Sequence, residues 1–232
     1  MRSMFILGAL ASLLSACGAD DSAQAAVDSR SASRATAPQS NSGLANRTGE
    51  LLNPDASTMV LLYYDLAGIP LSLDRWVEDD RRVRAAAAAD KAAQRIAVRA
   101  EVEAGAQAVH DIGRVRLTMN ANLSEYDPTY GEFTVRALAP SSVVPFEAFD
   151  QKVSLQFANG RTAQIWRVPA AESRTIRDRI SHLSNVTVDV LVKLTSVRPG
   201  PGGGTLVSDV VEYELRDSRS GATIGRVQIA AN

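Results

Sequence analysis

Among the side chains of this 232-residue chain that could do covalent chemistry, the scarcest is the thiol. Cys17 is the one cysteine. As a thiolate, cysteine is a nucleophile and can carry an added group. With a single copy the chain forms no internal disulfide, so the fold must stand on its hydrophobic core. The two histidines, His110 and His182, lack the cysteine or carboxylate spacing of a zinc site. They read as exposed groups at helix ends, where the dipole favours a cation. No serine sits in a Gly-x-Ser-x-Gly elbow. Glu125, Asp127 and Glu132 gather about one turn with Tyr126 and Tyr130, a set that could bind a cation or a sugar, or supply a hydrolase with paired carboxylates. Arg161, Arg167, Arg174, Arg177 and Arg179 form a basic neighbourhood if the strand and helix that carry them are adjacent, and would then face anionic headgroups or cell-wall carboxylates. Residues 199–204 are rich in glycine, but no Lys-Ser/Thr follows and the run leads into a strand, so a hairpin tip is expected rather than a phosphate loop. No catalytic, cofactor or metal site is expected from these patterns.

The setting of Cys17 is the most specific signal. Arg2 precedes an apolar run over residues 5–14, and Leu14-Ser15-Ala16 leads into the cysteine. Charge, apolar stretch and small residues are the layout of an export signal. The apolar run is well short of the roughly 20 residues that span a bilayer. Residues 1–18 resemble the signal peptide and lipobox of bacterial lipoproteins. The resemblance implies that diacylglycerol is added to the Cys17 thiol, that cleavage leaves Cys17 as the mature N-terminus, and that this terminus is then acylated. Each buried methylene contributes about 0.8 kcal/mol, so two or three acyl chains anchor firmly. Gly18, where an aspartate would signal retention at the inner membrane, implies the outer membrane facing the periplasm. Residues 51–232 are similar to uncharacterised domains of bacterial envelope lipoproteins, and no functional residue is transferred from them. The expectation is a non-catalytic binding or structural protein, with the membrane as partner through Cys17 and an envelope protein or the cell wall as a second partner. The alternatives are a carboxylate-dependent envelope hydrolase and a carrier of a small apolar ligand.

Charge and composition bound these readings. The chain has 25 basic and 26 acidic residues and a formal net charge of −1. A nucleic-acid partner would show a clustered basic excess, so none is expected. At 45% hydrophobic residues a core is affordable without disulfides, and at 5% aromatics it should be built from Val, Leu, Ile and Ala.

The elements that must position these groups follow from periodicity. Residues 1–16 are the signal peptide. Residues 17–50 are the anchor and a small, polar tether expected to be disordered, with a root-mean-square reach of about 30 Å. Residues 51–112 are helical, and residues 113–232 form a β-rich domain. The run Met59-Val60-Leu61-Leu62-Tyr63-Tyr64 fits a buried strand or a short helix. Residues 73–109 read as one long helix of about 54 Å, with an alanine run over 85–89 and an apolar stripe at Trp76, Val83, Ala86 or Ala87, Ala93, Ile96 and Ala100. From Gly113 the period switches to two. Seven strands are expected, at about 113–123, 133–137, 153–157, 163–168, 186–194, 207–215 and 223–229. Asn159-Gly160 suits a two-residue hairpin turn, and Pro169 opens a short helix with Ile176, Ile180 and Leu183 inward. The predicted fold is α+β, with a long N-terminal helix followed by a meandering antiparallel sheet of about seven strands and one short inserted helix.

Overall fold

The computed structural model describes residues 42–180 and 183–230, so Cys17 and His182 lie outside the described residues. Among the described residues the chain forms nine strands: β1 (Gly49–Leu52), β2 (Ile112–Asn120), β3 (Glu132–Thr134), β4 (Val143–Ala148), β5 (Gln151–Phe157), β6 (Ile165–Arg167), β7 (Val186–Gly200), β8 (Gly203–Asp217) and β9 (Thr223–Gln228). Seven of them make one sheet in the order β1-β2-β7-β8-β5-β4, with β9 also paired to β8; β3 and β6 make a separate two-stranded sheet. Alternation decides which face is dry. Val115 and Leu117 of β2 stand beside Val192 and Val190 of β7, and all four are buried. The residues between them, Arg114, Arg116 and Thr118, face out with Asp189 and Lys193.

The class is α+β, but the expected long helix does not exist. The segment breaks into α2 (Leu73–Asp79), α3 (Arg81–Ala85) and α4 (Lys91–Ala108), after α1 (Ala56–Ala67). The alanine run predicted as its middle is the break: Ala86 adopts an extended conformation with ψ 144°. Helix propensity differs by under about 0.7 kcal/mol per ordinary residue, whereas burying one large side chain contributes about 1.5–3 kcal/mol. Folding back lets Trp76 and Val77 of α2, Val83 of α3, and Val98 and Val102 of α4 reach the same core. The reversal is matched by charge. Asp74 pairs with Arg99, and Glu78 meets Arg95 at 2.6 Å, as antiparallel neighbours. Asp80 caps α3 by accepting from the Arg82 N–H at 2.7 Å. Ile96, expected in the buried stripe, is exposed.

The apolar run at 59–64 is helical. Asp55 caps α1 by accepting from the Thr58 N–H, and Gly68, at φ 64°, ends it. This helix is buried nearly all round because it touches β4, β5, β7 and β8 as well as α4. From it, rings run outward in a row: Tyr63, Tyr64, Trp76 and Phe149, with centroids 5.7, 5.0 and 4.5 Å apart in turn. Phe149 and Asp150 form the turn between β4 and β5, both left-handed, at φ 54° and 57°. That geometry is unfavourable for a bulky side chain, and the stacking of Phe149 on Trp76 holds it. The folded body already includes Leu44, which is 4% exposed.

The sheet is mixed, not an antiparallel meander. β1 runs parallel to β2, and β5 parallel to β8. β7 and β8 are the hairpin expected from the sequence, closed at Pro201-Gly202. Its tip is seated, not free: the Tyr63 hydroxyl donates to the Gly203 carbonyl at 2.6 Å, and Gly203, at φ 145°, pairs with Lys152. Asn159-Gly160 is not a hairpin turn. Asn159 has φ −90° and precedes α5 (Gly160–Ala163), and β6 pairs with β3 instead of β5. Glycine is needed at 160 for space, since a Cβ there would lie 2.5 Å from the Leu138 carbonyl oxygen. Asn159 has a structural task. Its side-chain amide donates to the Val210 carbonyl at 2.9 Å and accepts from the Val210 N–H at 2.8 Å. It thereby fills the gap on the edge of β8 between β5, which ends opposite Ser208, and β9, which ends opposite Glu212. Pro169 precedes α6 (Ala170–Arg179) as expected, with Ile176 and Ile180 buried.

Three stability outcomes follow. Asn159→Ala leaves both backbone groups of Val210 unpaired and should cost about 2 kcal/mol or more in chemical denaturation; a loss under ~0.5 kcal/mol would mean the amide bridge is dispensable. Asp150→Gly relieves a left-handed residue and should stabilise by up to about 1 kcal/mol, while Trp76→Ala should cost about 3–5 kcal/mol, read from the same denaturation midpoints.

Candidate functional site

The groups singled out in the sequence do not converge. His110 is exposed after α4 and places Nδ1 3.0 Å from Asp65, which also takes Arg47 at 2.6 Å. Asp127 is spent on its own turn, accepting from the N–H of Thr129 at 2.8 Å and of Tyr130 at 3.4 Å. Glu132 lies 3.9 Å from Arg167 across the β3–β6 pair, and Glu125 is exposed. The Tyr126 hydroxyl donates to the Val168 carbonyl. Asp127, Glu132 and Tyr126 are thus engaged within the turn and the β3–β6 pair. Among the described residues no cluster of His, Cys, Asp and Glu could hold a metal ion.

The five arginines are divided. Arg174 and Arg177 on α6 border a groove with Tyr126 and Pro128, and Arg179 lies at the exposed end of that helix. Arg161 of α5 and Arg167 of β6 border a different groove, of about 630 Å³, whose opposite wall is β9 with Arg226. Trp166 forms its floor, reaching beneath β9: a Cβ on Gly225 would lie 2.4 Å from the indole. That contact explains a glycine in a strand. Arg226 was not singled out from sequence, because its neighbourhood depends on which strand β9 joins.

The walls of this groove are strand edges. Residues 165–167 of β6 and residues 226–230 along β9 line it consecutively. Successive side chains of a strand point to opposite faces, so consecutive residues border one space only where that space lies alongside the strand. Hydrogen-bond phase agrees. The Ile229 N–H donates to Val211 of β8, which places residues 225, 227 and 229 toward β8 and the N–H and C=O of Arg226 and Gln228 outward. On β6, the Gln164 carbonyl and the Val168 N–H are bonded toward β3, so those of Ile165 and Arg167 point outward. Among the described residues neither outer edge has a strand partner.

Electrostatics fix the cationic rim. Glu214 of β8 accepts from the Thr223 hydroxyl at 2.6 Å, from Arg226 at 2.5 Å and from Arg216 at 2.9 Å. These bonds, Thr223 first, hold its carboxyl down at about 2. Arg226 is thus anchored. Arg161 makes no ion pair among the described residues, and no carboxylate, histidine or cysteine lines the groove. The arrangement can accept hydrogen bonds, donate them and attract anions above an apolar floor.

A second charged cluster is self-satisfied. On the polar face Arg116 donates to Glu50 at 3.0 Å, Asp189 at 2.9 Å and Glu212 at 3.2 Å. Those bonds, Asp189's foremost, hold its guanidinium still more firmly protonated. Inside the core, the Tyr213 hydroxyl is buried with no hydrogen-bond partner among the described residues, and burial pushes its pKa up.

No protein-family model, no curated protein and no solved structure matches this chain.

The low Glu214 value sets a pH test. A carboxyl whose folded pKa lies below the unfolded value, near 4.3, contributes stability above that value and loses it as pH falls toward the folded pKa. Between about pH 4.5 and 2, wild-type protein should therefore lose stability more steeply than Glu214→Gln, and at pH 7 the variant should be weaker by about 1–2 kcal/mol. Parallel acid profiles would contradict the bonding assigned to Glu214. Tyr213→Phe, which removes an unpaired buried hydroxyl, should be neutral or stabilising in the same assay.

Proposed function

We propose that this chain is a lipid-anchored protein of the bacterial envelope, held at the outer membrane on its periplasmic side, whose folded body binds a partner without performing catalysis. The observation that carries the anchoring is the order of residues at the start of the chain: Arg2, an apolar run over 5–14, then Leu14-Ser15-Ala16 and the single cysteine, Cys17. Thioether-linked diacylglycerol and an acylated N-terminus would supply two or three chains, enough for stable residence at a bilayer. No helix among the described residues is long and apolar enough to cross a membrane, so the proposed attachment is through acyl groups.

The binding role is supported by the groove between β6 and β9. It combines outward backbone groups that have no strand partner among the described residues, three arginines and an indole floor, and the described residues that line it include no carboxylate or histidine. The hydrolase alternative needed Glu125 and Asp127 side by side in a concave site; one is exposed and the other caps its own turn. The carrier alternative needed an apolar cavity under a curled sheet. The inner face is filled instead by Val186, Val188, Val190, Val192 and Leu194, each at most 1% exposed.

The test is expression of the whole chain with its signal in a Gram-negative host. The wild type should fractionate with membranes, and intact-mass analysis should show Cys17 as the first residue, carrying acyl chains. Cys17→Ser should be released to the soluble fraction. A bare thiol at Cys17, or a serine variant that still sediments with membranes, would overturn the anchoring.

A further inference from the structure

We infer that the groove between β6 and β9 is a slot for one added β-strand, and that its occupant is an extended acidic peptide segment of a partner protein. The inference deepens the binding role proposed above, and it is independent of whether Cys17 is acylated.

The geometry follows from the hydrogen-bond phase of the two walls. Arg226 and Gln228 on β9, and Ile165 and Arg167 on β6, present outward N–H and C=O groups to the same space. A single strand between them would bond to both edges at once. It would join the seven-stranded sheet and the β3–β6 pair into one continuous sheet. The wall formed by residues 226–230 is about 17 Å long at the rise of an extended chain, room for a segment of four or five residues. Main-chain pairing of this kind supplies affinity, and alternate side chains supply selectivity.

The sides of the slot differ, and that defines the sequence it reads. On the inner side lie the Trp166 indole, Val227 and Ile229. On the outer side, Arg226 stands beside Glu214 across the ladder, and Arg167 is exposed on the face of β6 opposite the buried Trp166. Arg161, without an ion pair among the described residues, also borders the slot. An inserted strand therefore meets apolar surface with every second residue and guanidinium groups with the residues between. Alternating apolar and acidic residues match this; a basic peptide meets three guanidinium groups, of which Arg161 has no ion pair among the described residues. Arginine is also the side chain best shaped for bidentate carboxylate recognition.

The experiment uses the whole chain in detergent micelles and an acetylated, amidated hexapeptide alternating valine and glutamate. Saturable binding is expected, with amide hydrogen exchange slowed at Arg226, Gln228, Ile165 and Arg167 and unchanged at Gly225 and Val227. Replacing glutamate by lysine in the peptide, or Arg161→Glu with Arg167→Glu in the protein, should weaken binding roughly tenfold or more. Gln228→Pro removes one outward N–H and leaves the β8 ladder intact, since proline is accepted where a strand's N–H faces outward. It should fold with unchanged circular dichroism and lose roughly tenfold in affinity. A peptide N-methylated at alternate amides should bind as poorly. Equal binding by the N-methylated peptide, or by Gln228→Pro, would overturn strand addition. Absence of saturable binding would overturn the proposal outright. Protection of Arg226 and Gln228 before peptide is added would show that the chain fills its own slot. A dimer abolished by Gln228→Pro would place a second copy there. Either result replaces the proposed occupant.

Discussion

One edge of β8 is shared by two strands that do not pair with each other, and the rest of the architecture depends on how that edge is divided. β5 takes the first part in parallel, β9 takes the last part antiparallel, and the Asn159 side chain stands in for a peptide unit at Val210 between them. Buried backbone groups cannot be left without partners at low cost, so this amide is what permits one fifteen-residue strand to serve both neighbours. The division has two consequences. It sends the chain after β5 away from the main sheet into α5 and β6, and it brings β9 back as an edge strand facing β6. The groove is the space between those two edges.

The other end of the same strand is fixed from the opposite direction. α1 lies across the dry face, and its Tyr63 bonds to the carbonyl of Gly203 at the hairpin tip. The aromatic row from Tyr63 to Phe149 then ties the helical segments to the β4–β5 turn. Helices and sheet share one core. The groove consequently has a rigid frame: Arg226 is anchored by Glu214, and Trp166 is wedged beneath Gly225.

Much of the local structure was legible from periodicity. The β7–β8 hairpin, the dry and wet faces of β2, and the short helix after Pro169 all appear as the alternation or spacing implies. What alternation does not encode is the identity of a strand's neighbour. Parallel pairing of β1 with β2 and β5 with β8 joins segments far apart in sequence, and no turn residue announces it. Asn159-Gly160 has the composition of a tight hairpin turn and serves another purpose, because its amide and its lack of a Cβ are both used by long-range neighbours. The alanine run over 85–89 shows the opposite failure: strong local propensity yields to the burial of Trp76 with Val98. The complementary order Asp74, Glu78 against Arg95, Arg99 was the available sign that the helix folds back on itself. Of the candidate site, Arg161 and Arg167 were visible as part of a basic neighbourhood. Arg226 and the strand edges were not, since both are properties of pairing.

The central claim is that β6 and β9 are two halves of an unfinished sheet. Isotope-edited nuclear Overhauser spectroscopy on the chain with an alternating valine–glutamate peptide reads this directly. The account predicts cross-strand contacts from the peptide's backbone protons to the Gln228 amide on one side and the Arg167 amide on the other. Contacts to one edge alone, or to the Arg174 and Arg177 side of α6, would contradict it.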